Sequence, residues 1–141
     1  MSKILILCTG NSCRSPMAEG ILRAIDPALE VYSAGTYPAH QVHPYAVEVL
    51  HEIGIDIRDA KPKNVDRFIG QNFDFVVTVC DHAKETCPVF SGGVKHRVHM
   101  GFRDPISARG SEEDILNSFR EVRDEIRARF QKFYEDTVVK K

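Results

Sequence analysis

Ile4-Leu5-Ile6-Leu7 is an unbroken apolar run, the mark of a strand buried on both faces. The chain then turns polar through Cys8-Thr9-Gly10-Asn11-Ser12-Cys13-Arg14, and apolar residues return at Met17, Ile21 and Ile25 with the spacing of one helix face. Ser15-Pro16 reads as the start of that helix, serine as the cap and proline at the first helical position. Val31-Tyr32-Ser33-Ala34, ending at Gly35, predicts a second strand, and Ala46, Val49, Leu50 and Ile53 a second helix closed by Gly54. A short helix at 65–69 precedes a third strand, Phe73-Asp74-Phe75-Val76-Val77-Thr78-Val79, which runs into Cys80; residues 94–100 form a fourth. Ser111 and Asp114 have the spacing of a capping box, opening a long helix with a buried stripe of Ile115, Phe119, Val122, Ile126, Phe130 and Phe133. Arg120, Asp124, Arg127 and Lys132 fall on its solvent side, and the end from Thr137 is expected to fray. Gly20 interrupts the first helix at about 1 kcal/mol relative to alanine, which points to close packing against the sheet.

Strands alternating with helices imply an α/β fold: a four-stranded parallel sheet with right-handed crossovers and helices on both faces. Sites in such sheets lie at the carboxyl ends of the strands, where Cys8 follows strand one and Cys80 strand three. If those strands are neighbours, about 4.8 Å apart, the two sulfurs can meet with modest movement, since disulfide Cα separations run roughly 4.4 to 6.8 Å. The 141 residues suit one domain, 1–141, and a formal net charge of −1 with interspersed signs gives no nucleic-acid groove and no polybasic membrane anchor. The first apolar stretch stops at Cys8, too short for a signal-peptide core or a membrane span. A cytoplasmic protein acting as a monomer is expected, its four cysteines reduced and available for catalysis, redox chemistry or metal binding.

Read alone, Cys8 is an ordinary packed cysteine. Read with its neighbours it is a nucleophile under an oxyanion pocket: the turn aims backbone N–H groups inward, and the helix N-terminus and the Arg14 guanidinium converge on a tetrahedral anion. That field should lower the Cys8 pKa to roughly 3.5–7.5. Gly10 and Asn11 suit unusual backbone angles, and Asn11 is expected to brace the loop. Ser15 is expected both to cap the helix and to hydrogen-bond the Cys8 sulfur. Thr9, Gly10, Asn11, Ser12, Cys13, Arg14 and Ser15 make up the expected anion-binding set, with Cys13 either an inert thiol or a minor redox partner. His40, His43 and His51 read as surface or loop residues.

Downstream stand Cys80-Asp81-His82-Ala83-Lys84-Glu85-Thr86-Cys87-Pro88 and Gly101-Phe102-Arg103-Asp104-Pro105. With the Cys8 loop, Met17-Ala18-Glu19-Gly20, Tyr32-Ser33-Ala34-Gly35 and Phe119-Arg120-Glu121-Val122-Arg123-Asp124-Glu125-Ile126, the chain resembles the thioredoxin-coupled arsenate reductases of the low-molecular-weight tyrosine phosphatase fold, nearly end to end. The resemblance implies that Cys8 attacks arsenate held by the backbone from Thr9 to Arg14, with phosphate and sulfate as competing oxyanions. It implies that Arg14 neutralises the oxyanion, that Asp104 protonates the departing oxygen, and that Cys80 and then Cys87 carry the disulfide outward to thioredoxin, with no bound cofactor. Some members hold potassium on residues matching Asn11, Glu19 and Ser33; the fourth, acidic position falls at Lys63 here. Two rivals remain. A phosphotyrosine phosphatase shares the loop and Asp104, but tends to have an apolar residue where this chain has Thr9 and a tyrosine where it has Ile106-Ser107. A zinc module would draw on Cys80, His82 and Cys87 with His96 or His99, without the paired Cys-x-x-Cys spacing of structural sites.

Overall fold

Ile4, Leu5, Ile6 and Leu7 have no solvent exposure, because other strands flank the strand they form on both edges and the core packs over both of its faces. Burying each such side chain contributes about 1.5–3 kcal/mol, so this run anchors the sheet. The computed structural model describes residues 2–81, 83 and 87–139. Four strands, β1 (Lys3–Cys8), β2 (Glu30–Gly35), β3 (Phe73–Thr78) and β4 (Val94–His99), pair in parallel in the order β2-β1-β3-β4. The chain leaves β1 toward β2 on one side and returns as β3 on the other, which places a crevice at the carboxyl end between β1 and β3. The register carries the chemistry to that edge: Cys8 pairs with Gly35, Leu7 with Thr78, and Thr78 with His99. The expected four-stranded parallel sheet of an α/β domain is the fold found, and β1 and β3 are neighbours.

Three α-helices accompany the sheet among the described residues: α1 (Arg14–Ile25), α2 (Pro44–His51) and α3 (Glu112–Phe133). Gly54 closes the α2 segment at φ +82°, a left-handed angle that glycine adopts without Cβ strain. The predicted helix at 65–69 is a single 3-10 turn, Val65–Arg67, capped by the Asn64 side chain. The α3 capping box forms in both directions, Ser111 Oγ accepting from the Asp114 N–H and the Asp114 carboxylate accepting from the Ser111 N–H. Phe119, Val122, Ile126, Phe130 and Phe133 are buried beneath it, with Ile115 half-buried. Arg120 is more than a solvent charge: with Arg123 it binds Glu52 just past α2, at 2.7 Å in each case, tying the two helices together. The end does not fray at Thr137, since a π-helical turn continues over Tyr134–Val138, Val138 is buried, and the Tyr134 hydroxyl donates to Asp26 at 2.6 Å.

Gly20 answers to helix packing rather than to the sheet. A Cβ there would lie 2.8 Å from Ile57 Cγ2 and 3.0 Å from Leu50 Cδ1, so the bare backbone lets α1 approach α2 and the segment after it. Gly20→Ala is expected to lower stability by about 1–2 kcal/mol, overpacking outweighing the gain in helix propensity. The denaturant midpoint reads this directly; an unchanged or higher midpoint would show that the two neighbours yield.

Candidate active site

The loop between β1 and α1 is shaped from outside. The carbonyls of Cys8, Thr9, Gly10 and Ser12 accept hydrogen bonds from the N–H groups of Thr36 (3.1 Å), Tyr37 (2.9 Å), Ala39 (2.8 Å) and His43 (2.8 Å). Drawing the carbonyls outward leaves the peptide N–H groups to face the concave side, the arrangement that binds an anion. Gly35 permits the close approach: a Cβ there would sit 2.5 Å from the Thr9 carbonyl oxygen. Asn11 carries the turn at φ 51°, tolerable for asparagine, whereas Gly10 keeps an ordinary negative φ.

Inside the loop the Cys8 sulfur receives the Asn11 N–H at 3.2 Å and lies 2.9 Å from Ser15 Oγ. Ser15 Oγ accepts from Asn11 Nδ2 at 2.8 Å, which leaves the hydroxyl proton to point at the sulfur. Ser15 does not cap the helix. Helix α1 begins at Arg14, its N-cap is Cys13 with no side-chain cap bond, and Ser15 is already inside the first turn. The Asn11 amide also donates to Ser33 Oγ (3.0 Å) and accepts from the Lys63 N–H (2.9 Å), so its side chain braces the loop on three sides.

Arg14 reaches across the sheet edge. One guanidinium nitrogen donates to the Phe102 carbonyl at 3.0 Å and another lies 3.7 Å from the Asp104 carboxylate. Asp104 accepts the Ile106 N–H at 3.0 Å, which fixes the carboxylate at the mouth with its side chain 42% exposed. Contrary to the sequence expectation, burial pushes the Cys8 thiol up, against the opposing hydrogen bonds from Ser15 and Asn11 and with neighbouring Cys80 adding to the rise. The physical difference is burial, since the Cys8 side chain is almost wholly covered, while Arg14 is turned to Phe102 and Asp104. Cys80 stands against the loop at Thr9, whose hydroxyl lies 3.4 Å from the Cys80 sulfur. The Ala83 N–H also points at that sulfur, at 3.4 Å. Thr9, Arg14, Cys80 and Asp81 line one cleft of about 520 Å³ over the loop.

A family model for low molecular weight phosphotyrosine protein phosphatases matches residues 3–141. The chain belongs to that family. Within the low-molecular-weight phosphatases it is similar to proteins of two kinds. An arsenate reductase of Halalkalibacterium halodurans is 47% identical over 133 residues, covering 94% of each chain. A solved arsenate reductase in its phosphate-binding state superposes with a TM-score of 0.78 at 28% identity, covering 94% of this chain and 96% of that one. A low molecular weight protein tyrosine phosphatase from T. tengcongensis gives 0.76 at 27% identity, covering 96% and 99%. These likenesses establish the low-molecular-weight phosphatase-like fold expected from the sequence.

Against this family background the remaining site residues fall into place. Cys87 is half-buried, and it faces a separate cavity of about 330 Å³ shared with Thr78, Arg97 and His99. Burial raises its thiol while the Arg97 guanidinium pulls the other way. The four cysteines are free thiols. His43, read from sequence as a surface or loop residue, ends the loop before α2 and is half-buried: its Nδ1 accepts the Tyr45 N–H as the α2 cap, and its ring packs 4.9 Å from Phe119. Nothing in the side-chain pattern of residues 36–43 signals the outer brace, because it is made of backbone.

Asn11, Glu19 and Ser33, the residues expected to match the potassium ligands of some relatives, are occupied with one another. Ser33 donates to Glu19 at 2.5 Å, Glu19 also pairs with Arg23 at 3.0 Å, and the half-buried Lys63 ammonium lies within reach of the Glu19 charge. A lysine beside the one carboxylate does not fit a further cation. Nor do the zinc candidates converge: His96 stacks on Phe75, His99 is held by Thr78 and Asp81, and His82 lies outside the described residues. Among the described residues no group of three or more histidines, cysteines or carboxylates is placed to hold a metal. Likewise no helix among them is long and apolar enough to cross a membrane.

Cys13, buried at the α1 cap, has its thiol pushed up to about 12, chiefly by burial. An unfolded chain loses that proton near 9.0 while the folded one keeps it, so the unfolded state binds fewer protons between those values. Stability is therefore expected to fall as pH rises from 9 toward 12, and Cys13→Ala to fall less steeply. Denaturant titrations across that range test this; identical slopes would exclude Cys13 as a source.

Proposed function

We propose that the chain reduces arsenate to arsenite by a three-cysteine relay regenerated by thioredoxin. The observation that carries this reading is that Cys80 stands against Thr9, the residue directly after Cys8, in the cleft over the loop, with Cys87 seven residues further on. The full-length likeness to arsenate reductases supports the substrate. Hydrolysis of a phosphate ester needs one thiolate, an anion cradle and an acid; reducing As(V) to As(III) needs two electrons, which two thiols supply on becoming a disulfide.

In the proposed sequence the inward N–H groups from Thr9 to Arg14 hold the oxyanion and Arg14 offsets its charge. With the anion in place the Cys8 proton passes to it, so that the sulfur attacks arsenic; Asp104 protonates the departing oxygen, which leaves as water. The Cys80 sulfur then attacks the Cys8 sulfur. The electron pair of the sulfur–arsenic bond stays on arsenic, arsenite departs, and a Cys8–Cys80 disulfide remains. Cys87 next attacks Cys80, frees Cys8, and leaves a Cys80–Cys87 disulfide that thioredoxin reduces with two electrons and two protons. The reading places this work in the reducing cytoplasm and in a monomer.

The test is NADPH oxidation coupled through thioredoxin reductase and thioredoxin, run beside aryl phosphate hydrolysis. Arsenate-dependent oxidation with slow hydrolysis is expected. Fast hydrolysis without arsenate-dependent oxidation would favour the second reading, a phosphomonoesterase working through a Cys8 phosphocysteine, which the shared loop and the T. tengcongensis phosphatase support.

A further inference from the structure

The two outer thiols face different spaces. Cys80 lies in the cleft with Thr9 and Asp81, while Cys87 faces the cavity walled by Arg97 and His99. Between them runs a short chain of hydrogen bonds. Thr78 Oγ1 meets His99 Nδ1 at 2.8 Å, and His99 Nε2 donates to the Asp81 carboxylate at 3.0 Å. Thr78 stands two residues before Cys80 and Asp81 directly after it, so one imidazole on the edge strand β4 grips both flanks of the thiol. The β3–β4 register sets Thr78 opposite His99, and Gly101 leaves the space: a Cβ there would stand 3.2 Å from His99 Nε2 and 3.6 Å from Asp81 Oδ1.

We propose that the Thr78–His99–Asp81 chain is a latch that holds Cys80 toward Cys8 and apart from Cys87, with His99 as its positioning residue. This rests on the relay reading above. While the latch is closed, Cys80 is aimed at Thr9 and the loop, as the first disulfide requires. Transfer to Cys87 needs the Asp81 end to let go, so that the Cys80 flank can cross into the neighbouring cavity. The latch therefore stabilises the dithiol form, and losing it should slow the first disulfide and favour the second. Asp81 is largely exposed and the pair is solvated, so the effect is a modest one, about twofold to fivefold.

Two measurements separate these effects, each on Asp81→Ala, which cuts the latch at an exposed residue, and on His99→Phe. In a Cys87→Ser background, rapid-quench peptide mapping after arsenate gives the rate of Cys8–Cys80 disulfide formation, expected to fall about twofold to fivefold. In a Cys8→Ser background, equilibration with glutathione and glutathione disulfide gives the Cys80–Cys87 constant. There two thiols lose two electrons and two protons as one glutathione disulfide becomes two glutathiones. The constant is expected to shift toward the protein disulfide by about twofold to fivefold, up to about 20 mV. Asp81→Asn, which keeps an acceptor oxygen, should stay near the parent in both measurements. Parent values for Asp81→Ala in both would overturn the latch. Absence of any arsenate-driven disulfide in the unmodified protein would overturn the relay instead, and the glutathione equilibrium, which needs no arsenate, would still decide the latch.

Discussion

Cys8→Ser protein is expected to reduce no arsenate at all while keeping its fold. Serine can take the place of the thiol under the Asn11 N–H and beside Ser15, so the loop and its oxyanion affinity should survive. What serine cannot do is ionise near neutral pH or give up an electron pair to another sulfur, so both the attack on arsenic and the disulfide are lost. The coupled assay should fall to the uncatalysed background, while equilibrium dialysis against phosphate remains close to that of the parent. Measurable multiple turnover by this variant would remove Cys8 as the nucleophile.

Cys80→Ser should fail later and differently. Its first step leaves Cys8 intact, so arsenate engages the loop, but no second sulfur stands across Thr9 to take the adduct apart. The expected result is no sustained NADPH oxidation, with Cys8 protected from alkylation by added arsenate. Sustained turnover would sink the proposed order of thiols. The contrast matters because the two variants separate binding an oxyanion, which any member of the family's loop can do, from reducing it. Together they decide between the two kinds of relative that the chain resembles.

The sheet could be read from the chain because its cause is local: Ile4-Leu5-Ile6-Leu7 and the β-branched run from Phe73 have one comfortable place, the interior of a sheet. The long helix was equally plain, since Ser111, Asp114 and the apolar stripe state its start and its face within one segment. Ser15 was misread for the opposite reason. Ser-Pro looks like a helix start, but a tertiary partner, the Cys8 sulfur, claims the hydroxyl, and the helix begins two residues sooner. Burial pushes the Cys8 thiol up, and sequence hides this because it shows Arg14 near the thiol but not how completely the fold covers the sulfur. His43 hid as a loop histidine, since a ring nitrogen acting as a cap has no signature beyond a residue standing before a proline. Asp81 and His99 gave no sign of each other, because only the β3–β4 register brings them together.

The outer brace of the anion loop has a consequence for which sequences can carry it. Its donors are the main-chain N–H groups of Thr36, Tyr37, Ala39 and His43, so side chains along this stretch can be exchanged widely without touching the cradle. One amino acid alone is barred from those four places on hydrogen-bonding grounds, the one whose nitrogen carries no hydrogen. The chain already obeys that rule: its two prolines here, Pro38 and Pro44, fall at positions outside the four donors, beside them but never on them.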